Sequence, residues 1–130
     1  MEKIIIKTSK KKEIIDITGL VKDLVKKEDF RNGTVILFLT HTTAALTTAD
    51  LDPGTDLDML DAYEALIPKL QYRHPHDPTH VPAHILSSLI GTSLTLLVEN
   101  GEFILGAWQK IVLVEFDGPK DRKFAISFHE

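Results

Sequence analysis

The spacing of apolar residues alternates along the chain between the period of a strand and the period of a helix. Runs rich in β-branched and aromatic residues predict strands at residues 3–9, 12–18 and 34–41, with three or four more within residues 92–130. The first two runs flank a lysine-rich turn and are expected to form an opening hairpin. The turn at Asn100–Gly101 and the turn at residues 117–121 predict further antiparallel hairpins.

Three stretches, at residues 18–30, 55–67 and 81–91, have helical spacing instead. The first helix is expected to use Asp16 or Thr18 as its N-cap. The apolar faces of the first two helices are formed by Leu20, Val21, Leu24, Val25, Leu57, Leu60, Leu66 and Ile67. These three stretches therefore predict three short amphipathic helices.

The ends of the second and third helices carry their own signals. Thr55 and Asp58 have the spacing of a capping box at the start of the second helix, and Pro68 stops it. Pro82 suits the first turn of the third helix and Gly91 suits its end. Leu89 of this helix is expected to pack in the core.

Together the elements predict an α+β fold, a single domain over residues 1–130 with mainly antiparallel sheet or sandwich and about three short helices. No repeat, linker or change of composition divides the chain. The runs at residues 34–41 and 111–116 are almost continuously apolar, which is more than one thin sheet would bury. We therefore expect a closed homo-oligomer.

Composition excludes several classes of function. The 19 acidic and 15 basic residues give a net charge of -4 and no broad positive surface, so no nucleic-acid partner is expected. The absence of cysteine excludes disulfides, thiolate catalysis and cysteine metal sites, and leaves imidazole and carboxylate as metal ligands. The N-terminal residues do not form a signal peptide, and no apolar stretch is long enough to span a bilayer. A cytoplasmic protein without membrane association is expected.

Four of the six histidines lie in the thirteen residues "YRHPHDPTHVPAH", which end at His84. Such crowding of imidazole is typical of a site that binds a metal or moves protons. His84 falls in the first turn of the third helix, whereas Pro82 disfavours helical backbone just before it and leaves His80 in a loop. Histidines of a solvated loop can instead cap backbone groups, and this interpretation stays open for His76 and His80.

Polar residues at a strand end and hydroxyl groups on the third helix indicate a site for an anion. His41, Thr42 and Thr43 directly follow the buried run that ends the predicted third strand. Ser87 and Ser88 lie in the helix whose first turn has N–H groups without helical partners. Phosphate is therefore the first anion to expect beside this helix start.

Two features near the C-terminus differ in what they indicate. Trp108–Gln109 follows a glycine and offers a ring face and a bidentate amide to a heteroaromatic ligand. A core aromatic residue is the alternative interpretation of Trp108. His129 is expected to lie on the surface, outside any site.

The segments "THTTAALTTADLDPGTD" and "PAHILSSLIG", followed by "GAWQ", resemble the YjbQ-like family, which is sometimes labelled secondary thiamine-phosphate synthase. The resemblance covers nearly the whole chain. It implies a compact, largely antiparallel fold packed with helices and a homotrimeric assembly. The chain departs from the commoner family form in its shorter "ADLDPG" stretch and in "GAWQ" where many members have a threonine.

The resemblance also implies a site. It places the family's histidines at His41, His74 and His84, an acidic or polar residue near Asp50 and Asp52, and the Trp-Gln pair at Trp108–Gln109. A divalent metal ion, zinc or magnesium, is expected at the three histidines. Besides the acid and the histidines, the residues expected to bind a small phosphorylated substrate are Thr42, Thr43, Arg73, Ser87, Ser88, Trp108 and Gln109.

Three functions are compatible with such a site. The activity implied by the resemblance joins a pyrimidine methyl pyrophosphate to a thiazole phosphate and releases pyrophosphate, which requires charge stabilisation and alignment of two rings. The chain has no glycine-rich phosphate loop of the P-loop type. One alternative is metal-assisted hydrolysis with Asp50 or Asp52 as the base. The other is a trimer that binds a metal or small ligand without catalysis.

Overall fold

Two antiparallel sheets form the frame of the protein in the computed structural model, which describes all 130 residues. The five-stranded sheet has the order β1-β8-β3-β5-β6 and the three-stranded sheet has the order β2-β7-β4. A 3-10 turn at Pro78–His80 precedes the third helix. The remaining elements are β1 (Glu2–Lys7), β2 (Glu13–Asp16), α1 (Thr18–Lys27), β3 (Gly33–Leu39), β4 (Ala44–Ala49), α2 (Thr55–Leu66), α3 (Val81–Ile90), β5 (Ser93–Glu99), β6 (Glu102–Phe103), β7 (Lys110–Glu115) and β8 (Asp121–His129). The predicted α+β fold with three short helices is confirmed.

Two of the predicted hairpins are wrong because the chain crosses between the sheets at those turns. β1 pairs with β8 and β2 pairs with β7, so the first two strands lie in different sheets. The turn at residues 117–121 likewise connects β7 of the small sheet to β8 of the large one. The N–H of Thr8 donates to the carbonyl of Lys120 at 2.9 Å, which holds the two crossings side by side. Only Asn100–Gly101, both with positive φ, joins a true hairpin, between β5 and β6.

The main core fills the space between the two sheets. It includes Leu37 of β3, Phe124 of β8 and Leu113 of β7, and α1 covers it with its buried apolar face. A smaller cluster packs Val112 and Val114 of β7 against α3. Alternate residues of β7 therefore point into two different cores, which explains why residues 111–114 are continuously apolar.

The helix ends and faces differ in part from the sequence prediction. The N-cap of α1 is Ile17, so the prediction of Asp16 or Thr18 as N-cap is wrong, although the Asp16 carboxylate accepts from the N–H of Thr18 at 2.9 Å. The predicted capping box of α2 is wrong, because Gly54 is the N-cap and no side chain caps the helix. Leu20, Leu57 and Leu66 are exposed, so these members of the predicted apolar faces do not reach the core.

His80 and Leu89 are placed differently from the sequence prediction, and α3 continues directly from the 3-10 turn. Val81 has helical φ and ψ of -62° and -40° despite Pro82, since the proline stands in the first turn of the helix. His80 is therefore part of a helical turn rather than of a free loop. Leu89 is 69% exposed and is not a core residue.

None of the helices has the length and apolar character needed to cross a membrane.

Truncation of a leucine side chain should lower stability much more in the core than on the outer face of α3. Leu37 is fully buried, so Leu37→Ala should lower the free energy of unfolding by about 2–5 kcal/mol. Leu89→Ala removes the same atoms from an exposed position and should change it by less than about 0.5 kcal/mol. Urea unfolding measures both values. An equal loss at Leu89 would show that this side chain is buried in solution and would contradict its placement.

Candidate functional site

The four histidines of residues 72–84 gather around the ring of His74. The His84 ring stacks on it with centroids 5.4 Å apart and planes within 7°. The rings of His76 and His80 lie edge-on to it, at 6.1 Å and 6.2 Å between centroids. The segment before α3 folds back over the helix start, so all four imidazoles form one histidine cluster, including the two that the sequence left open.

Backbone hydrogen bonds fix the proton positions of two rings in this cluster. Nδ1 of His84 lies 3.0 Å from the carbonyl oxygen of Thr42, and since a carbonyl only accepts, Nδ1 carries the proton. The Nε2 lone pair of a neutral His84 is therefore free. Nδ1 of His74 accepts from the N–H groups of His76 and Asp77, each at 3.2 Å, so its proton lies on Nε2.

His41 has the opposite arrangement to His84. The backbone N–H of Lys123 donates to its Nε2 at 2.7 Å, which leaves the proton on Nδ1 of the neutral ring. Burial lowers the pKa of His41 below 6.5, and the positive charges of Arg122, Lys120 and Lys123 lower it further against the opposing charge of Glu115. His41 is thus held as a neutral hydrogen-bond donor.

The predicted metal site is not formed within one chain. No three histidine, aspartate or glutamate side chains are placed to hold a metal ion together. The reason lies in the ring nitrogens: His41 and His74 each use their unprotonated nitrogen to accept backbone N–H groups. A metal ligand needs that same lone pair, so of the three predicted ligands only His84 can offer one.

A cavity of about 400 Å³ lies between β3, the residues that follow it and the second half of α3. Thr42 and Ser88 are exposed in it, and His41 and Thr92 also line it. We call it the hydroxyl pocket; its lining residues are Phe38, Leu39, Thr40, His41, Thr42, Ser87, Ser88, Gly91 and Thr92. The predicted ligand Ser87 is 2% exposed and donates to the carbonyl of Ala44 at 2.6 Å, so its hydroxyl supports the fold instead.

A buried ion pair lies beneath the segment that carries His41. Arg122 donates from Nε to both carboxylate oxygens of Glu115, at 2.9 Å and 3.1 Å, and its Nη2 also contacts this carboxylate. The same Nη2 donates to Oγ1 of Thr43 at 2.8 Å and to its carbonyl at 3.2 Å. Thr43 is therefore a buried structural residue, which corrects its prediction as a substrate ligand.

Sequence reasoning missed Glu115 and Arg122. Burial alone would raise the pKa of Glu115, but the bonds from Arg122, Thr8 and the N–H of Asp117 outweigh it and lower the pKa. The sequence feature that could have indicated this ion pair is the single carboxylate, Glu115, inside the apolar run at residues 111–116. A charge in such a run requires a buried partner of opposite sign.

The helix start that was expected to bind phosphate already faces a carboxylate. The side chain of Asp77 accepts from the N–H of Thr79 at 3.0 Å, and its carbonyl accepts from the N–H of His80. The chain thus supplies a carboxylate to the turn before α3, and an anion at the first turn of α3 itself stays a prediction. Arg73 is exposed beside the histidine cluster and makes no ion pair.

The remaining predicted site residues lie at the other end of β4. Gln109 donates to Oγ1 of Thr48 at 3.0 Å, and the ring of Trp108 is 76% exposed. Asp50 directly follows the strand, and its carboxylate accepts from the N–H of Asp52. Thr48 lies five positions after Thr43 along extended chain, a distance of roughly 17 Å. One chain does not bring Trp108, Gln109 and Asp50 to the hydroxyl pocket.

The proton positions of His41 can be measured directly. At pH 7 we expect ¹⁵N spectra of the side chains to show the Nδ1–H form of His41, since Lys123 donates to Nε2. On acidification the midpoint of its protonation should lie below pH 6.5, because burial and nearby positive charges lower its pKa. The spectrum of His41→Asn assigns the signal. An Nε2–H form, or a protonation midpoint above pH 6.5, would contradict the hydrogen bond.

Comparison with known proteins agrees with this fold and with the sequence resemblance. The family model described as "UPF0047 protein YjbQ-like" matches residues 2–130. The UPF0047 protein YugU of Bacillus subtilis is 38% identical over 118 residues, which are 90% of this chain and 89% of that protein. A UPF0047 protein of Methanocaldococcus jannaschii is 36% identical over 122 residues, 93% of this chain and 88% of that protein.

Solved structures give the same result. An uncharacterised YjbQ/UPF0047 protein of Clostridium acetobutylicum superimposes with a TM-score of 0.90 at 37% identity, covering 99% of this chain and 100% of that one. A hypothetical protein of Aeropyrum pernix K1 superimposes with a TM-score of 0.91 at 28% identity, covering 98% and 96%. The order of elements, the motifs and these matches over nearly the full length lead to one conclusion: the chain belongs to the YjbQ-like UPF0047 family.

Proposed function

We propose that the chain is an enzyme that binds a small phosphorylated substrate in the hydroxyl pocket and transfers a proton through Nε2 of His84. The observation that carries the proposal is the bond from Nδ1–H of His84 to the Thr42 carbonyl. It fixes the ring and leaves Nε2 as its reactive atom. Thr42 lines the hydroxyl pocket, so this bond ties an oriented imidazole to a residue of that cavity, which suits general acid–base catalysis.

The lining of the hydroxyl pocket suits phosphate oxygens. The hydroxyl groups of Thr42, Ser88 and Thr92 are free to donate, and His41 offers a neutral Nδ1–H. Positive charge comes from Lys123, which is exposed beside His41. Neutral donors backed by a cation bind an anion with little change in the protonation of the site.

The reaction implied by the family resemblance is a transfer of the thiamine-phosphate synthase type. A ring nitrogen of the thiazole phosphate forms a C–N bond to the pyrimidine methylene carbon while the C–O bond to pyrophosphate breaks. Protonated His84 would donate from Nε2 to the departing pyrophosphate, and the pocket donors would hold the thiazole phosphate. Both substrates must then be present for pyrophosphate to appear.

Metal-assisted hydrolysis is the second candidate, because the free Nε2 of His84 is of the kind that binds zinc or magnesium-bound water. The other ligands would come from more than one copy, since one chain does not group three. Release of phosphate from a single substrate, lost with a chelator and matched by metal in elemental analysis, would favour it. Binding without turnover would favour a ligand-binding protein.

A homotrimer would complete the site. The outer face of the large sheet exposes Ile5, Phe38 and Leu97, each at least 50% accessible. Trp108 is exposed as well, at the far end of β4 from the hydroxyl pocket. In a closed trimer Trp108 of the partner subunit would supply the ring face that one chain lacks.

The role of His84 is tested by a substitution that keeps its structural bond. In His84→Asn the side-chain amide can still donate to Thr42, but the Nε2 atom is gone. Turnover, followed as pyrophosphate release with both substrates present, should fall by about 10²–10⁴-fold. His129→Asn is the control, since His129 contacts only Ser127. Wild-type turnover in a folded His84→Asn protein would contradict the assignment.

The shared site is tested by mixing two inactive variants. Light scattering should give the mass of three chains, and Trp108→Ala alone should lose turnover because its ring is missing from the neighbouring site. Refolding His84→Asn together with Trp108→Ala should restore part of the turnover, as some interfaces then combine an intact His84 with an intact Trp108. A monodisperse monomer, or no recovery on mixing, would contradict the proposal.

A further inference from the structure

A second and larger cavity lies on the opposite side of α3 from the hydroxyl pocket. Its volume is about 650 Å³, within the range of sites for small molecules. Pro82, Ala83 and Leu86 of α3 line it, whereas Ser88 of the same helix lines the hydroxyl pocket. The helix is therefore a wall shared by two separate cavities, and the proposed function uses only one of them.

The floor of this cavity is apolar. Ile67, Leu86 and Phe116 are buried beneath it. Tyr72 contributes its ring, because its hydroxyl is engaged with the carbonyl of Pro68. Leu70 also lines the cavity, and its side chain is 64% exposed. Burial of this exposed apolar surface against the apolar body of a ligand would be energetically favourable.

The rim of the cavity carries three lysines, which is why we call it the lysine-rimmed cavity. Lys12 pairs with Glu64 at 3.3 Å, and Lys11 pairs with Asp117. Lys69 has no carboxylate partner. An exposed ammonium above an apolar floor is complementary to an anion that carries a hydrophobic group.

Asp117 cancels only part of this positive charge. Burial disfavours its ionised form, but hydrogen bonds from Lys11 and Lys120 outweigh burial and lower the pKa of Asp117 to about 2. Its negative charge is shared between two lysines, at 2.6 Å for Lys120. The five lining charges, three positive and two negative, leave a net positive rim.

We propose that the lysine-rimmed cavity binds a small amphipathic anion, with an aromatic or short aliphatic body on the Ile67–Leu86–Phe116 floor and its anionic group at Lys69. The site is separate from the hydroxyl pocket and does not depend on His84. The hydrophobic body distinguishes its ligand from a plain phosphate.

The test uses 1-naphthoate as the probe and 1-naphthylmethylammonium as its cationic match. In ¹H–¹⁵N titrations of the full chain, naphthoate should shift the signals of residues 67–72, Ala83, Leu86 and Phe116. Signals of the hydroxyl pocket at Thr42 and Ser88 should stay in place. The anion should bind at least about tenfold more tightly than the cation, because the positive rim attracts the carboxylate and repels the ammonium group.

Charge reversal gives the matched control. Lys69→Glu should weaken naphthoate binding by about tenfold, whereas Lys22→Glu, an equal change of charge on an exposed position of α1, should leave it within about twofold. His84→Asn should not alter it, which separates this site from the proposed catalytic one. No shifts at millimolar naphthoate, shifts centred on the hydroxyl pocket, or equal weakening by both lysine variants would each overturn the proposal. A second copy of the chain covering the cavity would give the first of these results.

Discussion

The buried ion pair between Glu115 and Arg122 is the constraint on which the rest of the structure depends. Both residues are at most 1% exposed, and they belong to different sheets, Glu115 to β7 and Arg122 to β8. Two charges taken out of water persist only when each is fully paired, and loss of either partner would leave the other uncompensated at a cost of about 3–5 kcal/mol. Thr8 and Thr43 complete the pairing from the neighbouring connections. The pair therefore fixes the relative position of the sheets and of the segment that leads to His41.

The periodicity of the sequence predicted elements whose burial is decided locally. β3 was identified by its almost continuously apolar run of strand length, of which Val35, Leu37 and Leu39 are the buried members. Val21 and Leu24 similarly identify the buried face of α1. β4 was not predicted, because alanine and threonine give a weak strand pattern. It is a strand because β7 pairs with it and α3 covers it, and both contacts come from distant parts of the chain.

Pairing and proton positions depend on tertiary contacts, so the sequence could not specify them. A turn signal predicts that the chain reverses, but not that it enters another sheet, as it does before β8. The four histidines that gather around His74 are close in sequence, so their proximity is local, but the way their rings stack is not given by spacing. The position of the proton on His41 depends on Lys123, which lies 82 residues away. The length of β4 separates the exposed ring of Trp108 from the hydroxyl pocket. Neither relation can be derived from spacing.

The two sides of α3 are held by different kinds of contact. Behind the hydroxyl pocket, the carbonyl of Gly91 accepts from Leu46 at 3.0 Å and that of Thr92 accepts from Leu39 at 2.7 Å, so strands of both sheets hold this wall. Residues 68–77, beside the lysine-rimmed cavity, have no regular structure and are held by bonds of their own side chains, such as that of Tyr72 to the carbonyl of Pro68. The outline of the hydroxyl pocket is thus tied to both sheets, whereas changes of sequence at residues 68–77 would reshape the other cavity without disturbing either sheet.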